Sequence, residues 1–284
     1  MADPRRAGLL LAGALLAVIA PLRAAPAHNA PLPNPDAGRS VFLEDLTSPE
    51  LAQRVAAGTT TALVPVGGTE QSGAHLVLGK HNARVKVLAG RIAQALGNAV
   101  VTPVVAYVPE GSIHPPAAHM KYTGTISIPE PTFEALLAGT ARSLREHGFR
   151  DVIFLGDHGG YQASLKHAAD AVNHDAAAKG ASFRATALDT YYRVTQTAYV
   201  DALKSRGYTL AEIGQHAGLA DTSLSLALAP EGVRADALAA GAQPQSQPGV
   251  AGDPRRASAA LGQLGVQLII DQSVAAIRAA TARP

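Results

Sequence analysis

Cysteine and tryptophan are both missing from this chain of 284 residues, and Phe, Trp and Tyr together make up only 4%. Without cysteine there are no disulfides, no thiol nucleophile and no thiolate-bound metal; an exported chain of this size does not need disulfides. So few aromatics leave no stacking platform for single-stranded nucleic acid. No G-x-S-x-G elbow, no Walker loop and no G-x-G-x-x-G after a strand occurs in the sequence. What remains, 47% hydrophobic and 16% charged residues, is an ordinary globular composition long enough for one sizeable α/β domain.

The only long apolar run near a terminus is Ala7–Ala20, preceded by Arg5 and Arg6 and followed by Ala25-Pro26-Ala27. This tripartite pattern reads as a secretory signal peptide over residues 1–27, which places the mature protein in the periplasm or outside the cell. The run is short for a membrane span; an uncleaved anchor is the alternative. Residues 1–27 carry Arg5, Arg6 and Arg23 against Asp3, a net of +2, so removing them takes the whole-chain +2 to zero. A near-neutral mature chain gives no support for a nucleic-acid partner or, after cleavage, for a membrane one.

Residues 28–284 read as a single domain in which strand and helix patterns alternate. "TTALVPVG", "AVVTPVVAYV", "DVIFLGD" and "FRATALDT" are strand-like, and helical spacing follows in "NARVKVLAGRIAQALG", "PTFEALLAGTARSLREHG" and "YQASLKHAADAVNHDAAAKG". A short helix near "SLSLALAP" and a long C-terminal one from about Arg256 complete the pattern. Alternation implies a mainly parallel sheet between helical layers, with ligands gathered at the carboxyl ends of the strands.

Three polar groups fall at such places. "GGTEQSGAHLVLGKH" holds Glu70, His75 and His81; a carboxylate and imidazoles suit Zn, Mn or Fe, although histidines in turns are more often simply solvated. "GDHGGYQ" holds Asp157 and His158. Asp157 is open to three readings: a ligand, a carboxylate orienting a histidine, or a helix cap. "GQHAGLADTS" holds His216 and Asp221, the first a structural histidine or a catalyst, the second a helix cap or a ligand.

Together these segments resemble the creatininase family of metal-dependent amidohydrolases. "PVGGTEQSGAHLVLGKH" is similar to the family's first motif, "YTGTIS" to its F-P-G-T-x-S, "GDHGGY" to its N-G-H-G-G-N, "HAGLADTS" to its H-A-G-x-x-E-T-S, and Gly252-Asp253-Pro254 to its late G-D-P. The resemblance runs in order from about Pro65 to Pro254. It implies a three-layer α/β/α fold, a homo-oligomer with hexamers among the forms the family takes, and a small-molecule substrate. It also implies that Glu70, His158 and Asp221 fall on metal ligands and that His216 falls beside the substrate.

Two positions depart from the pattern. Ser72 stands where the family has a histidine, and His81 stands where an aspartate bridges two metals. An imidazole is a poor bridge, so the implied site is one Zn or Mn (Fe a further option) held by Glu70, His81, His158 and Asp221, in preference to two ions. Gly160 stands where some members carry an acidic ligand, and the tryptophans of a creatinine pocket are absent, which gives creatinine itself little support. The function read from this is hydrolysis of a C–N bond in a small cyclic or linear amide. Asp157 would serve as orienter or extra ligand, and His216, titrating near its ordinary value of about 6.5, would move a proton. The alternatives are a periplasmic metal or small-molecule binding protein without turnover, and a hydrolase of a non-amide bond.

Overall fold

The apolar runs close into one parallel sheet. The computed structural model describes residues 40–178, 180–239 and 249–283. The signal peptide read at residues 1–27 lies outside them. Strands β1 (Thr61–Val66), β2 (Ala99–Val101), β3 (Asp151–Gly156) and β4 (Arg184–Ala187) pair in the order β2-β1-β3-β4, every neighbour parallel. The helices of the described residues are α1 (Ser48–Ala56), α2 (Lys80–Leu96), α3 (Glu130–Glu146), α4 (Gln162–Ala178), α5 (Asp189–Gln196), α6 (Ala198–Lys204), α7 (Leu210–Ile213), α8 (Leu219–Leu228), α9 (Ala235–Ala239) and α10 (Ala259–Thr281).

Successive strand residues face opposite sides of a sheet, and both sides here are covered. Ala62, Val64 and Val66 of β1 join Val152 and Phe154 of β3 against Phe133 and Leu137 of α3 and Leu165 and Val172 of α4. Leu63, Ile153 and Leu155 point the other way, into Val85 and Ile92 of α2, Tyr191 of α5, Leu224 of α8 and Ile269 of α10. Burial on two faces explains why β1 and β3 read as continuous apolar runs instead of alternating ones. The three-layer α/β/α expectation is what the structure has. Helix α10 is long and apolar enough to cross a membrane, yet Val266, Ile269 and Ile277 are buried in the core, which makes it a core helix.

Some boundaries differ from those the sequence suggests. The run "AVVTPVVAYV" supplies a ladder only over Ala99–Val101, because Pro103 has no N–H to donate and the chain then leaves the sheet. Helix α10 starts at Ala259, since Pro254–Arg256 forms a 3₁₀ turn and the Ser258 hydroxyl caps the helix by accepting from Leu261 N–H.

The strand order fixes where a ligand can sit. From β1 the chain runs through α2 to β2 on one side, and from β3 through α4 to β4 on the other. The exits of β1 and β3 therefore diverge and leave a crevice between them. Gly67–Glu70 leaves β1 and Asp157–Gly160 leaves β3. The Tyr161 hydroxyl ties the two exits together: it accepts from His158 N–H at 3.1 Å and donates to the Gly67 carbonyl at 2.6 Å.

Candidate metal centre

Four side chains converge in that crevice. Glu70, Glu110, His119 and His158 each offer a ligand atom, and these atoms all lie within 4.8 Å of one another. Glu70 and His158 come from the exits of β1 and β3. Glu110 and His119 come from the long connection between β2 and α3, which is pinned in place by the segment "TGTIS". Thr125 Oγ1 accepts from Gln71 N–H at 3.2 Å, and Ser127 Oγ accepts from Glu110 N–H at 3.0 Å while donating to the Gly111 carbonyl at 2.7 Å.

The backbone makes room at specific points. Gly68 has φ +151°, and a Cβ there would collide with Glu110 Oε1. A Cβ on Gly160 would lie 2.9 Å from the ring of His158, so the absent side chain at 160 is what lets this histidine sit where it does. Ala118 (φ 50°) directly precedes His119 and Ala217 (φ 53°) directly follows His216. Left-handed backbone at a non-glycine residue costs about 1–3 kcal/mol and collects at functional sites.

Glu70 serves two sides at once. Its Oε1 lies 3.0 Å from Lys80 Nζ and 2.7 Å from His81 Nε2, while Oε2 lies 3.1 Å from His119 Nε2 and 3.6 Å from His158 Nε2. Burial works to raise Glu70, but the Lys80 ammonium, then His81 and His158, outweigh it and hold the carboxyl well below the usual range. Glu110 has no such support. It is 3% exposed, and burial, with the charge of Glu70 beside it, pushes it up to about 9. Among the described residues neither Glu110 oxygen nor Glu70 Oε2 has a well-aligned hydrogen bond, an arrangement that suits a shared proton or a bound cation. Burial also drives His158 down to about 3, with His81 adding to the effect, and it lowers His119. Two carboxylates and two neutral imidazoles around orphaned oxygens fit a divalent Zn or Mn ion.

The ligands read from the sequence divide here. Glu70 and His158 belong to the group. His81 and Asp221 stand outside it, and both are already engaged. His81, in the first turn of α2, has Nδ1 at 2.6 Å from Asp157 Oδ2 and Nε2 on Glu70. Asp221, in the first turn of α8, takes Arg84 at 2.7 Å, accepts from Ala217 N–H at 2.8 Å and lies 3.6 Å from Lys80. Asp157 has the geometry of an orienting carboxylate: besides His81 it takes Arg84 at 2.7 Å and the Tyr191 hydroxyl at 2.9 Å. His75 is fully buried and bonds Thr222 at 3.0 Å, which joins the first motif to α8. Glu110 and His119 have no counterpart in the sequence reading; "VPEGSIHPPAAHM" has no periodicity and no ligand spacing to single them out.

His216 borders the group. Its Nε2–H donates to the Gln71 carbonyl at 2.9 Å, which leaves Nδ1 with a free lone pair 3.6 Å from Glu70 Oε1. Burial, then the Lys80 charge, pushes this histidine down to about 4. The expectation of titration near 6.5 is corrected accordingly: the ring is desolvated and faces a fixed cation.

A cavity of about 270 Å³ opens beside the group, lined by His119, His158, His216, Arg84, Tyr192 and Gln196 among others. A larger hollow of about 820 Å³ lies along α4 and β4, where Lys166, Asp170 and Arg184 offer no convergent chemistry. The smaller cavity is the one with ligand-bearing side chains.

The family described as creatinine amidohydrolase matches residues 44–277. A creatinine amidohydrolase of Pseudomonas putida is 28% identical over 199 residues, 70% of this chain and 75% of that one. A mycofactocin precursor peptide peptidase of Mycolicibacterium smegmatis is 30% identical over 222 residues, 71% and 77% of the two chains. Among solved structures, a manganese creatininase and a Zn–Zn form of a mutant creatininase each superpose with a TM-score of 0.73 at 25% identity, over 86% of this chain and all of theirs. With the sheet, the crevice and the ordered motifs in agreement over most of its length, this chain belongs to the creatininase family of hydrolases.

Proposed function

We propose that the protein hydrolyses a C–N bond of a small amide, using one divalent ion held by Glu70, Glu110, His119 and His158. The observation that carries this reading is the trio of buried carboxylate oxygens on Glu70 and Glu110 without a well-aligned hydrogen bond, flanked by two neutral imidazoles. A divalent ion at such a place supplies Lewis-acid polarisation of a carbonyl and acidifies a water molecule. Solved creatininases include a manganese and a Zn–Zn form, which supports those two metals.

The chain's own residues provide the rest. Glu70 and His158 sit on strand exits, and Glu110 and His119 close over them from the connection pinned by Thr125 and Ser127. His81, fixed by Asp157 and Arg84, holds Glu70 in orientation. The tautomer of His216 set by the Gln71 carbonyl leaves Nδ1 free to accept a proton and pass it to a leaving nitrogen. The cavity of about 270 Å³ admits a small substrate or the end of a longer one. One relative is named for creatinine and another for a peptide, so a panel must span both kinds of amide.

The test has two stages. Chelator-stripped protein is titrated with Zn²⁺ and Mn²⁺ by calorimetry, then assayed on cyclic amides, linear amides and short peptides. Saturable binding followed by metal-dependent release of amine from any panel member is the expected result. Tight binding with no turnover on any amide, lactone or ester would replace the enzyme by a binding protein.

A further inference from the structure

Lys80 takes no part in the chemistry proposed above. It opens α2 and is 3% exposed. Its ammonium lies 2.8 Å from Ser72 Oγ, 3.0 Å from Glu70 Oε1 and 3.6 Å from Asp221 Oδ2. Three oxygens from two segments of the chain, Glu70 and Ser72 past β1 and Asp221 in α8, therefore surround one buried cation. An isolated buried lysine would be costly, and these oxygens are what compensate it. Lys80 meets Oε1 of Glu70, whereas His119 and His158 meet Oε2.

We propose that Lys80 acts as a built-in cation in a second cation position, between Glu70, Ser72 and Asp221, and so limits the site to one divalent ion. The inference rests on the metal reading above and adds its stoichiometry. Charge balance points the same way. Glu70, Glu110, Asp157 and Asp221 place four carboxylates in the crevice, and the buried cations Lys80 and Arg84 pair with all of them but Glu110. One divalent ion brings the set to neutrality; a second would leave it at +2 in a desolvated cavity. A mutant creatininase of known structure is a Zn–Zn type, so a relative on this fold does take two ions. Here an ammonium tethered to α2 occupies the equivalent electrostatic role without exchange, and it polarises Glu70 whether or not the exchangeable ion is bound.

The inference is tested by counting ions. Full-length mature protein and the variants Lys80→Ala and Lys80→Ser are stripped with chelator, reloaded with Zn²⁺ or Mn²⁺, and measured by native mass spectrometry and elemental analysis. The expected result is one ion per wild-type chain and two per variant chain, the second lost again when Asp221→Asn is added. Metal-free variants should melt below the wild type and recover as the second ion binds. Lys80→Ser supplies an oxygen in the vacated space and keeps the test open if alanine fails to fold. Two ions in the wild type, or one ion in a folded variant, would overturn the role given to Lys80 while leaving the metal reading standing. No ion in the wild type would remove both.

Discussion

Replacing Glu110 with glutamine should make the metal-free protein more stable near neutral pH and the metal-loaded protein less so. In the folded chain burial and Glu70 lift Glu110 from 4.5 to about 9. Below pH 4.5 the group is protonated in both folded and unfolded states and costs nothing. As the pH rises from there the unfolded chain releases the proton and the folded chain keeps it, so stability falls until the folded value of about 9 is passed. At pH 7 the gap is 2.5 units, and at 1.36 kcal/mol per unit that is a ceiling of about 3 kcal/mol. Glutamine keeps the shape and has no such proton, so Glu110→Gln should gain on the wild type by up to that amount between pH 4.5 and 7. For a domain of this size this is roughly 6–12 °C in melting temperature. Adding Zn²⁺ or Mn²⁺ should reverse the ranking, because the wild type exchanges its proton for the ion and the variant cannot. Calorimetry in buffers of different ionisation enthalpy should show release of about one proton per ion bound at pH 7 by the wild type alone. Parallel pH–stability curves for the two metal-free proteins would refute the unsupported carboxyl, and undiminished metal affinity in Glu110→Gln would refute the ligand.

Other substitutions separate the roles assigned around it. His158→Ala should lose bound metal, whereas His81→Ala, which removes a support of Glu70 in place of a ligand, should weaken affinity only about 10–100-fold; elemental analysis after dialysis distinguishes them. His216→Ala should keep its metal and lose about 10²–10⁴-fold in rate. Because His216 is pushed down to about 4, the activity it contributes should fall only as the pH drops toward that value, with no break near 6.5; a break there in the wild-type profile, abolished by the mutation, would contradict this. Asp157→Asn strips Arg84, His81 and Tyr191 of a shared charge, and denaturant unfolding should show a loss of about 3–5 kcal/mol.

The contrast between Glu70 and Glu110 also marks how far the sequence can be read. Two-sided burial of β1 and β3 leaves unbroken apolar runs, and α2, α3 and α4 carry clear helical spacing, so the sheet, its layers and the place of the crevice follow from pattern. The same holds for Glu70 and His158, which stand just past those runs. Glu110 and His119 enter from a connection with no period of its own, held by the hydroxyls of Thr125 and Ser127 and by left-handed Ala118. Their approach is a tertiary event. His81 and Asp221 differ again: the sequence shows two candidate ligands, and only the packing shows that they pair with Asp157, Lys80 and Arg84. Lys80 falls before the helical run that the sequence shows from Asn82, and nothing in the spacing of Lys80 and Arg84 says that the face they share with His81 is turned inward.

The tie that Tyr161 makes between the two strand exits has a bearing on how such a site can change over time. It locks Glu70 and His158 to the sheet as one rigid half, since moving either would pull on the backbone of both strands. The other half hangs on a connection between β2 and α3 that meets β1 through the bridge of Val105 with Val66 and buries Val108 in the core, then runs on to Glu110 and His119. Ligands on that connection are exchangeable parts. Changes confined to the stretch from Glu110 to Tyr122, past the buried Val108, can re-specify the ligands and the rim of the cavity while leaving the core strands alone, so one scaffold can be refitted for new substrates by rewriting a single stretch of chain.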